Sequence, residues 1–420
     1  MEQLRDAFHE GVTAAAAALR QLFPPTPLQL NGHLSRRFGA RIWLKREDLS
    51  PVRSYKIRGA FNFLRKRLAG AGEPPRFCAA SAGNHAQGFA YACRHFGVSG
   101  RVFMPVTTPA QKIEKTRMFG GASVEITLTG DRFDECYAAA QAWAAESGAV
   151  MAPPFDDADI IEGQATIALE IDRQLAGARF DIAVAPVGGG GLAAGLTRYW
   201  RGAPTAPQLL FAEAAGAASL RASLEAGRRV RLETIDSFAE GAAVAEPGAL
   251  PFSILRDQPA AAVQVVPEGR ICQTMLEMLN LEGIVLEPAG ALSVAALPDL
   301  RDVIYGRNVL LIVSGGNFDF ERLPEVKERA LRHEGRKKYF VLRLPQRPGA
   351  LRAFLNLLGP DDDITRFEYL KKSARDFGSV LLGIETTHAS NFEALFRSFE
   401  LAGLQYHDIT NDQTFSDLLI

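Results

Sequence analysis

From about Arg41 to Phe320, short apolar runs alternate with longer, Ala-rich amphipathic runs, and this alternation constrains the fold more than any other property of the chain. A short apolar run bounded by turn residues suits a strand covered on both faces, and an amphipathic run between two such strands suits a covering helix. The pattern predicts an α/β protein with largely parallel sheets. Candidate strands are Arg41 to Lys45, Phe77 to Ala80, Val102 to Pro105, Val124 to Leu128, Ile182 to Pro186, Leu209 to Ala212 and Val309 to Val313. Ligands of open α/β sheets settle at the carboxyl ends of strands, so the following turns are where chemistry is expected.

At 420 residues and 47% hydrophobic composition, the chain is long enough for roughly three folding units. Forty-seven basic against 48 acidic residues leave a net charge of -1, which gives no field to hold nucleic acid or an acidic membrane. The first residues, MEQLRDAFHEGVTAAAAALRQLF, carry acids among apolar residues and read as an amphipathic helix, not a signal peptide. No run approaches the length of a membrane span. Cys78, Cys93, Cys136 and Cys272 are far apart and fit reduced core thiols, with the cytosol as the expected compartment.

The texture changes after Leu331, where the charged stretch Arg-His-Glu-Gly-Arg-Lys-Lys covers 332 to 338 and suits a linker or a solvated helix end. The reading is a catalytic region over 1–325, with a smaller α/β lobe at roughly 50–150, a linker over 326–337 and a last domain over 338–420. Within that domain the predicted order is strand Tyr339 to Leu344, helix Pro348 to Leu358, strands Ile364 to Lys371 and Ser379 to Thr386, helix Asn391 to Ala402 and strand Gln405 to Ile409. That order is βαββαβ, a ferredoxin-like unit of about 85 residues.

Three turns stand out. Ser81-Ala82-Gly83-Asn84-His85 follows one strand and opens a helix; it is either a simple N-cap or a set of exposed amides for a carboxylate or phosphate, with the Asn84 amide available to a ring oxygen. Val187 is followed by Gly188, Gly189, Gly190, Gly191 and Leu192. Four consecutive glycines are either a flexible turn or a phosphate cradle of backbone amides, and match neither a dinucleotide fingerprint nor a Walker loop. Ser314 ends the Val309 to Val313 run, as a turn residue or as a hydroxyl for a heterocyclic nitrogen. Lys56, in Ser54-Tyr55-Lys56-Ile57-Arg58-Gly59-Ala60, is a surface lysine or an amine that forms a Schiff base with an aldehyde. Together these are the handles of pyridoxal phosphate.

With these motifs the chain resembles the biosynthetic threonine dehydratases, of the tryptophan synthase β-like group of pyridoxal-phosphate enzymes. The resemblance also includes Thr26-Pro27-Leu28, Lys-Arg-Glu-Asp at 45 to 48, Ser-Ala-Gly-Asn-His-Ala-Gln-Gly at 81 to 88, Glu287-Pro288-Ala289-Gly290-Ala291 and Ser-Gly-Gly-Asn at 314 to 317. It implies two open twisted α/β domains around one pyridoxal 5'-phosphate, with Lys56 as Schiff-base lysine and general base. Asn84 would meet the ring oxygen, Gly188 to Leu192 the phosphate, Ser314 the ring nitrogen, and Ser81 to His85 the carboxylate of L-threonine. The last domain resembles the ACT-like regulatory domain of these enzymes in a form with one unit, which implies isoleucine or valine as effectors and a homo-oligomer, dimer or tetramer.

Serine racemases are also similar but carry a second Ser where Ala82 stands; Ala82 transfers no proton, which favours elimination. Glu213 matches a cation-binding position of some relatives, but a solvated strand-end carboxylate is the expected reading, with no metal. A catabolic serine/threonine dehydratase and a non-catalytic amino-acid sensor are the rival readings.

Overall fold

The computed structural model describes residues 2–70, 72–175, 179–370 and 377–412. The chain divides into two compact units, Met1–Asp319 and Phe320–Ile420.

The first unit holds two sheets. The larger has six strands in the order Leu28–Leu30, Arg41–Arg46, Asn308–Val313, Ile182–Pro186, Gln208–Ala214 and Val263–Val266. The first pair is antiparallel and the others are parallel. The smaller has four parallel strands in the order Val124–Leu128, Gly100–Met104, Phe77–Ala80 and Val150–Met151. Strands without a polar alternation are those covered on both faces: all five residues of Ile182–Pro186 and all four of Phe77–Ala80 are buried. The apolar runs therefore mark these strands to within a few residues, and a helix begins directly after the turns at 81 to 83 and 188 to 190, at Asn84 and Gly191.

Helix Lys56–Leu68 is fastened by a buried charge cluster. Arg58 is 0% exposed; its Nε and Nη2 donate to Glu47 at 2.7 and 2.8 Å, and its Nη1 and Nη2 to Glu170 at 2.8 and 2.9 Å. Lys45 Nζ donates to Glu170 at 2.8 Å and to the Thr26 carbonyl at 2.8 Å. Arg20 reaches Glu170 from the rim. Burial disfavours the Arg58 charge, but Glu47 and Glu170 outweigh it and hold its pKa above the ordinary value. Burial likewise works against the Glu170 carboxylate, and Arg58 and Lys45 reverse the balance and hold it well below the usual range.

In the second unit the strands Lys337–Pro345, Asp362–Leu370, Phe377–Thr386 and Gln405–Asp408 form an antiparallel sheet. Taken as the first to fourth strands of the unit, they lie in the order 2-3-1-4, with helices Ala350–Leu355 and Asn391–Leu401 in the two crossovers. This is the ferredoxin-like arrangement. The core is aromatic: Phe340, Phe354, Phe392 and Phe399 are buried with Val380, Leu382 and Ile384. The expected linker over 326–337 is not one. Leu323–His333 is a helix, because Val326, Ala330 and Leu331 recur at helical spacing and are buried, and Lys337 already begins a strand. The expected strand end at Lys371 and residues 413–420 of the expected domain lie outside the described residues.

Removing one partner of a buried ion pair leaves the others unpaired, at a cost of about 3–5 kcal/mol. Arg58→Ala is therefore expected to lower the unfolding free energy by about that amount in denaturant titration, whereas Arg46→Ala, which loses a pair with neighbouring Asp48 and a hydrogen bond to Gln29, costs less.

Candidate functional site

The carboxyl ends of the two sheets carry the predicted residues. Lys56 is the first residue of its helix, preceded by a turn in which Arg53 has φ 59°, the one non-glycine with positive φ among the described residues. The turn is tied to the end of the large sheet: Tyr55 N donates to the Ser314 carbonyl at 3.1 Å and Gly316 N to the Arg53 carbonyl at 2.9 Å. Lys56 Nζ donates to the Pro154 carbonyl at 2.9 Å and lies over the rings of Tyr55 and Phe155, 5.5 and 5.8 Å from their centres. Burial pulls its pKa down to about 8, against an opposing contribution from the Glu287 charge. A neutral, nucleophilic amine is thereby accessible near neutral pH.

Gly190 has φ 90° at the entry of helix Gly191–Trp200, a backbone conformation that favours glycine. A Cβ at Gly188 would lie 2.8 Å from the Ala242 Cα, and one at Gly189 2.3 Å from the Phe155 ring. Among the described residues, the amides of Gly188, Gly189, Gly190, Gly191 and Leu192 donate to no protein acceptor. Undecorated backbone with unspent donors at a helix N-terminus fits a phosphate.

The Ser81 to His85 turn has the same character. Gly83 N donates to Ser81 Oγ at 3.2 Å, while the amides of Ala82, Asn84 and His85 donate to no protein acceptor among the described residues. Ala82 is partly buried against the small-lobe core. His85 is buried, and its Nε2 lies 2.9 Å from the Ala152 carbonyl. A carbonyl only accepts, so this nitrogen carries the proton. Burial, and after it the Lys56 charge, pushes the His85 pKa down to about 4; the imidazole is a neutral strut. Ser314 is buried at the end of Asn308–Val313, with Oγ 3.3 Å from the Ala289 carbonyl. That contact is long, and a hydroxyl so placed is able to serve a ring nitrogen. The residues present fit pyridoxal phosphate: an amine, unspent amides for the phosphate, an amide for the ring oxygen and a hydroxyl for the ring nitrogen.

Sequence reasoning left out the residues that position these groups. Asn84 Nδ2 donates to Glu287 Oε1 at 2.7 Å, and Asn84 Oδ1 accepts from Asn317 Nδ2 at 2.8 Å. Pro154 and Phe155 bring the small lobe's edge up to Lys56 and the glycines. Glu287 and Asn317 lie inside quoted motifs, which was the available signal; nothing in the sequence distinguishes Pro154 or Phe155.

Glu213 corrects an expectation. It is not a solvated strand end but 0% exposed, accepting from Leu220 N at 2.8 Å and Arg221 N at 2.9 Å at the start of helix Ser219–Ala226. The folded-back helix closes over it and supplies two donors. Burial lifts its pKa to about 8, opposed by these two bonds. Among the described residues, no group of three or more His, Cys, Asp or Glu is placed to hold a metal ion, and no helix is long and apolar enough to cross a membrane.

Two outcomes follow from this geometry. Gly189→Ala is expected to weaken pyridoxal phosphate binding at least about tenfold in an absorbance titration, since the Phe155 ring must move to admit the methyl. For Glu213 the folded-state pKa lies above the unfolded value, so its contribution is present at low pH and is lost as pH rises toward about 8. Melting temperature is expected to fall less steeply between pH 5 and 8 in Glu213→Gln than in the native chain.

Comparison with known proteins agrees with the two-unit division. The family model for pyridoxal-phosphate dependent enzymes matches residues 19–315, and that for the C-terminal regulatory domain of threonine dehydratase matches residues 328–419. The biosynthetic L-threonine dehydratase of Lactococcus lactis is 44% identical over 405 residues, covering 96% of this chain and 97% of that protein. The Bacillus subtilis enzyme of the same name is 44% identical over 397 residues, covering 94% and 93%. The solved threonine deaminase isoform 2 of Solanum lycopersicum superposes with a TM-score of 0.70 at 33% identity, covering 77% of this chain and 94% of that one. With both family models matched in turn along it and relatives 44% identical over nearly its whole length, the chain belongs to the biosynthetic threonine dehydratases of the pyridoxal-phosphate-dependent enzymes.

Proposed function

We propose that this protein converts L-threonine to 2-oxobutanoate and ammonia, the first step of isoleucine biosynthesis, and that its second unit confers feedback regulation by isoleucine, with valine as a further effector. The observation that carries the catalytic reading is the Lys56 amine, partly buried, with a pKa near 8 and held beside the Phe155 ring that closes the glycine cradle. The names of the relatives and the regulatory-domain match support the biosynthetic form over a catabolic dehydratase or a sensor.

In this reading Lys56 holds the cofactor's aldehyde carbon, residues 188 to 192 its phosphate, Asn84 its ring oxygen and Ser314 its ring nitrogen. When bound, pyridoxal phosphate supplies an aldehyde that exchanges amines and a ring that takes up the electrons released at the substrate's Cα. The unspent amides of the Ser81 to His85 turn grip the threonine carboxylate. That grip orients Cα toward Lys56, whose freed amine takes the Cα proton. The β-hydroxyl would leave as water with the proton that Lys56 took from Cα, and hydrolysis of the released aminocrotonate gives the 2-oxo acid and ammonia. Ala82 has no proton to give on the opposite face, so reprotonation there is suppressed. The neutral Ser314 hydroxyl would hold the ring nitrogen without keeping it protonated, which favours elimination. The small zwitterionic substrate meets local anion sites and needs no field from a chain of net charge -1. A homo-oligomer in the cytoplasm completes this reading.

The test is 2-oxo-acid formation from threonine and serine by the native chain and Lys56→Ala, with and without isoleucine or valine. Lys56→Ala is expected to lose activity at least about a thousandfold, and borohydride to fix the cofactor on Lys56 of the native chain alone. Only the neutral amine attacks an aldehyde, so the rate of cofactor capture by the cofactor-free protein is expected to rise with pH through about 8. An isoleucine titration that leaves the threonine saturation curve unchanged would remove the regulatory part.

A further inference from the structure

Glu287 stands immediately before helix Pro288–Ala295, in the N-cap position, yet its side chain makes no hydrogen bond to that helix. It turns instead to Asn84, whose Nδ2 donates to Oε1 at 2.7 Å. Asn317 fixes the other end of the same amide: its Nδ2 donates both to Asn84 Oδ1 and to the Val52 carbonyl, each at 2.8 Å. Both Asn317 protons are thereby used, so Asn84 must present its oxygen to Asn317 and its nitrogen to Glu287. One Asn84 N–H remains, with its direction fixed from both sides.

The surroundings make room for this carboxyl and little else. A Cβ on Gly315 would lie 2.1 Å from Glu287 Oε1, and one on Gly241 would lie 3.8 Å from both Glu287 Oε1 and Asn84 Nδ2. Glu287 is 8% exposed. The charged and titratable groups bearing on it are Glu240 and Lys112, themselves an ion pair, together with Lys56, Tyr55 and Lys115, each of whose pKa values its charge raises. Burial lifts its own pKa to about 7, with the hydrogen bonds from the Asn84 side chain and the Asn317 backbone opposing.

We propose that Glu287 is a positioning residue of the site: it aims the Asn84 amide at the cofactor's ring oxygen. This rests on the roles given above to Lys56 and Asn84.

The experiment measures pyridoxal phosphate affinity in the native chain, Glu287→Gln, Glu287→Ala, Asn84→Ala and the Asn84→Ala/Glu287→Ala double variant. Glu287→Ala is expected to weaken binding about tenfold. Because Glu287 acts through Asn84, the double variant is expected to bind no more weakly than Asn84→Ala alone. Glu287→Gln keeps an acceptor for the Asn84 N–H, so its affinity is expected to stay within about threefold of native. Additive losses in the double variant, or native affinity in Glu287→Ala, overturn the proposal. If Glu287→Ala does not fold, an affinity in Glu287→Gln as low as that of Asn84→Ala overturns it. Native affinity in both Asn84→Ala and Lys56→Ala would instead overturn the site reading beneath it.

Discussion

The Arg58 guanidinium, 0% exposed and shared between Glu47 and Glu170, is the interaction on which the placement of the site depends. It joins three parts of the chain that are remote in sequence: the end of an edge-side strand, the helix that begins at Lys56, and the long helix Ala158–Gln174. Buried charges are tolerated only when fully paired and hydrogen-bonded. Lys45 and Thr26 complete the pairing, so the cluster specifies one geometry more than it adds stability. Lys56 lies half a turn from Arg58, and any rotation of that helix would break several charge-assisted bonds at once.

A rigid amine then meets a deliberately plain receptacle. Both helix entries facing it, at 82 to 85 and 188 to 192, present backbone without capping side chains. The polar contacts made by side chains are few, and each is oriented by a second group: Asn84 by Glu287 and Asn317, His85 by the Ala152 carbonyl, Lys56 by the Pro154 carbonyl. Orientation by a second layer is what keeps such contacts within the narrow tolerance that catalysis requires.

Much of this was legible in the sequence where a local rule was strong. The strands Phe77–Ala80, Val124–Leu128 and Ile182–Pro186 follow apolar runs that stop at turns. Leu28–Leu30, Val150–Met151 and Val263–Val266 escaped notice because each is short and at the rim of its sheet, where burial on both faces, and hence a continuous apolar run, is not required. The three unusual turns were legible because small residues replace what packing would favour. Pro154 and Phe155 were not, since their part comes from tertiary contacts that no spacing encodes. Glu213 misled for the same reason: its two amide donors lie on a helix that returns over the strand end.

The order of strands in the large sheet also bears on how the protein is made. Arg41–Arg46 pairs directly with Asn308–Val313, and the Lys56 turn is closed by Ser314 and Gly316, so the first strands to leave the ribosome wait for nearly the last of the catalytic unit. The small sheet, drawn from one continuous stretch between Phe77 and Met151, has no such delay. Long-range parallel pairing is slow and leaves strand edges exposed meanwhile. The small sheet is therefore complete once Met151 has been made, whereas the large sheet and the closure of the Lys56 turn wait for Val313 and Gly316.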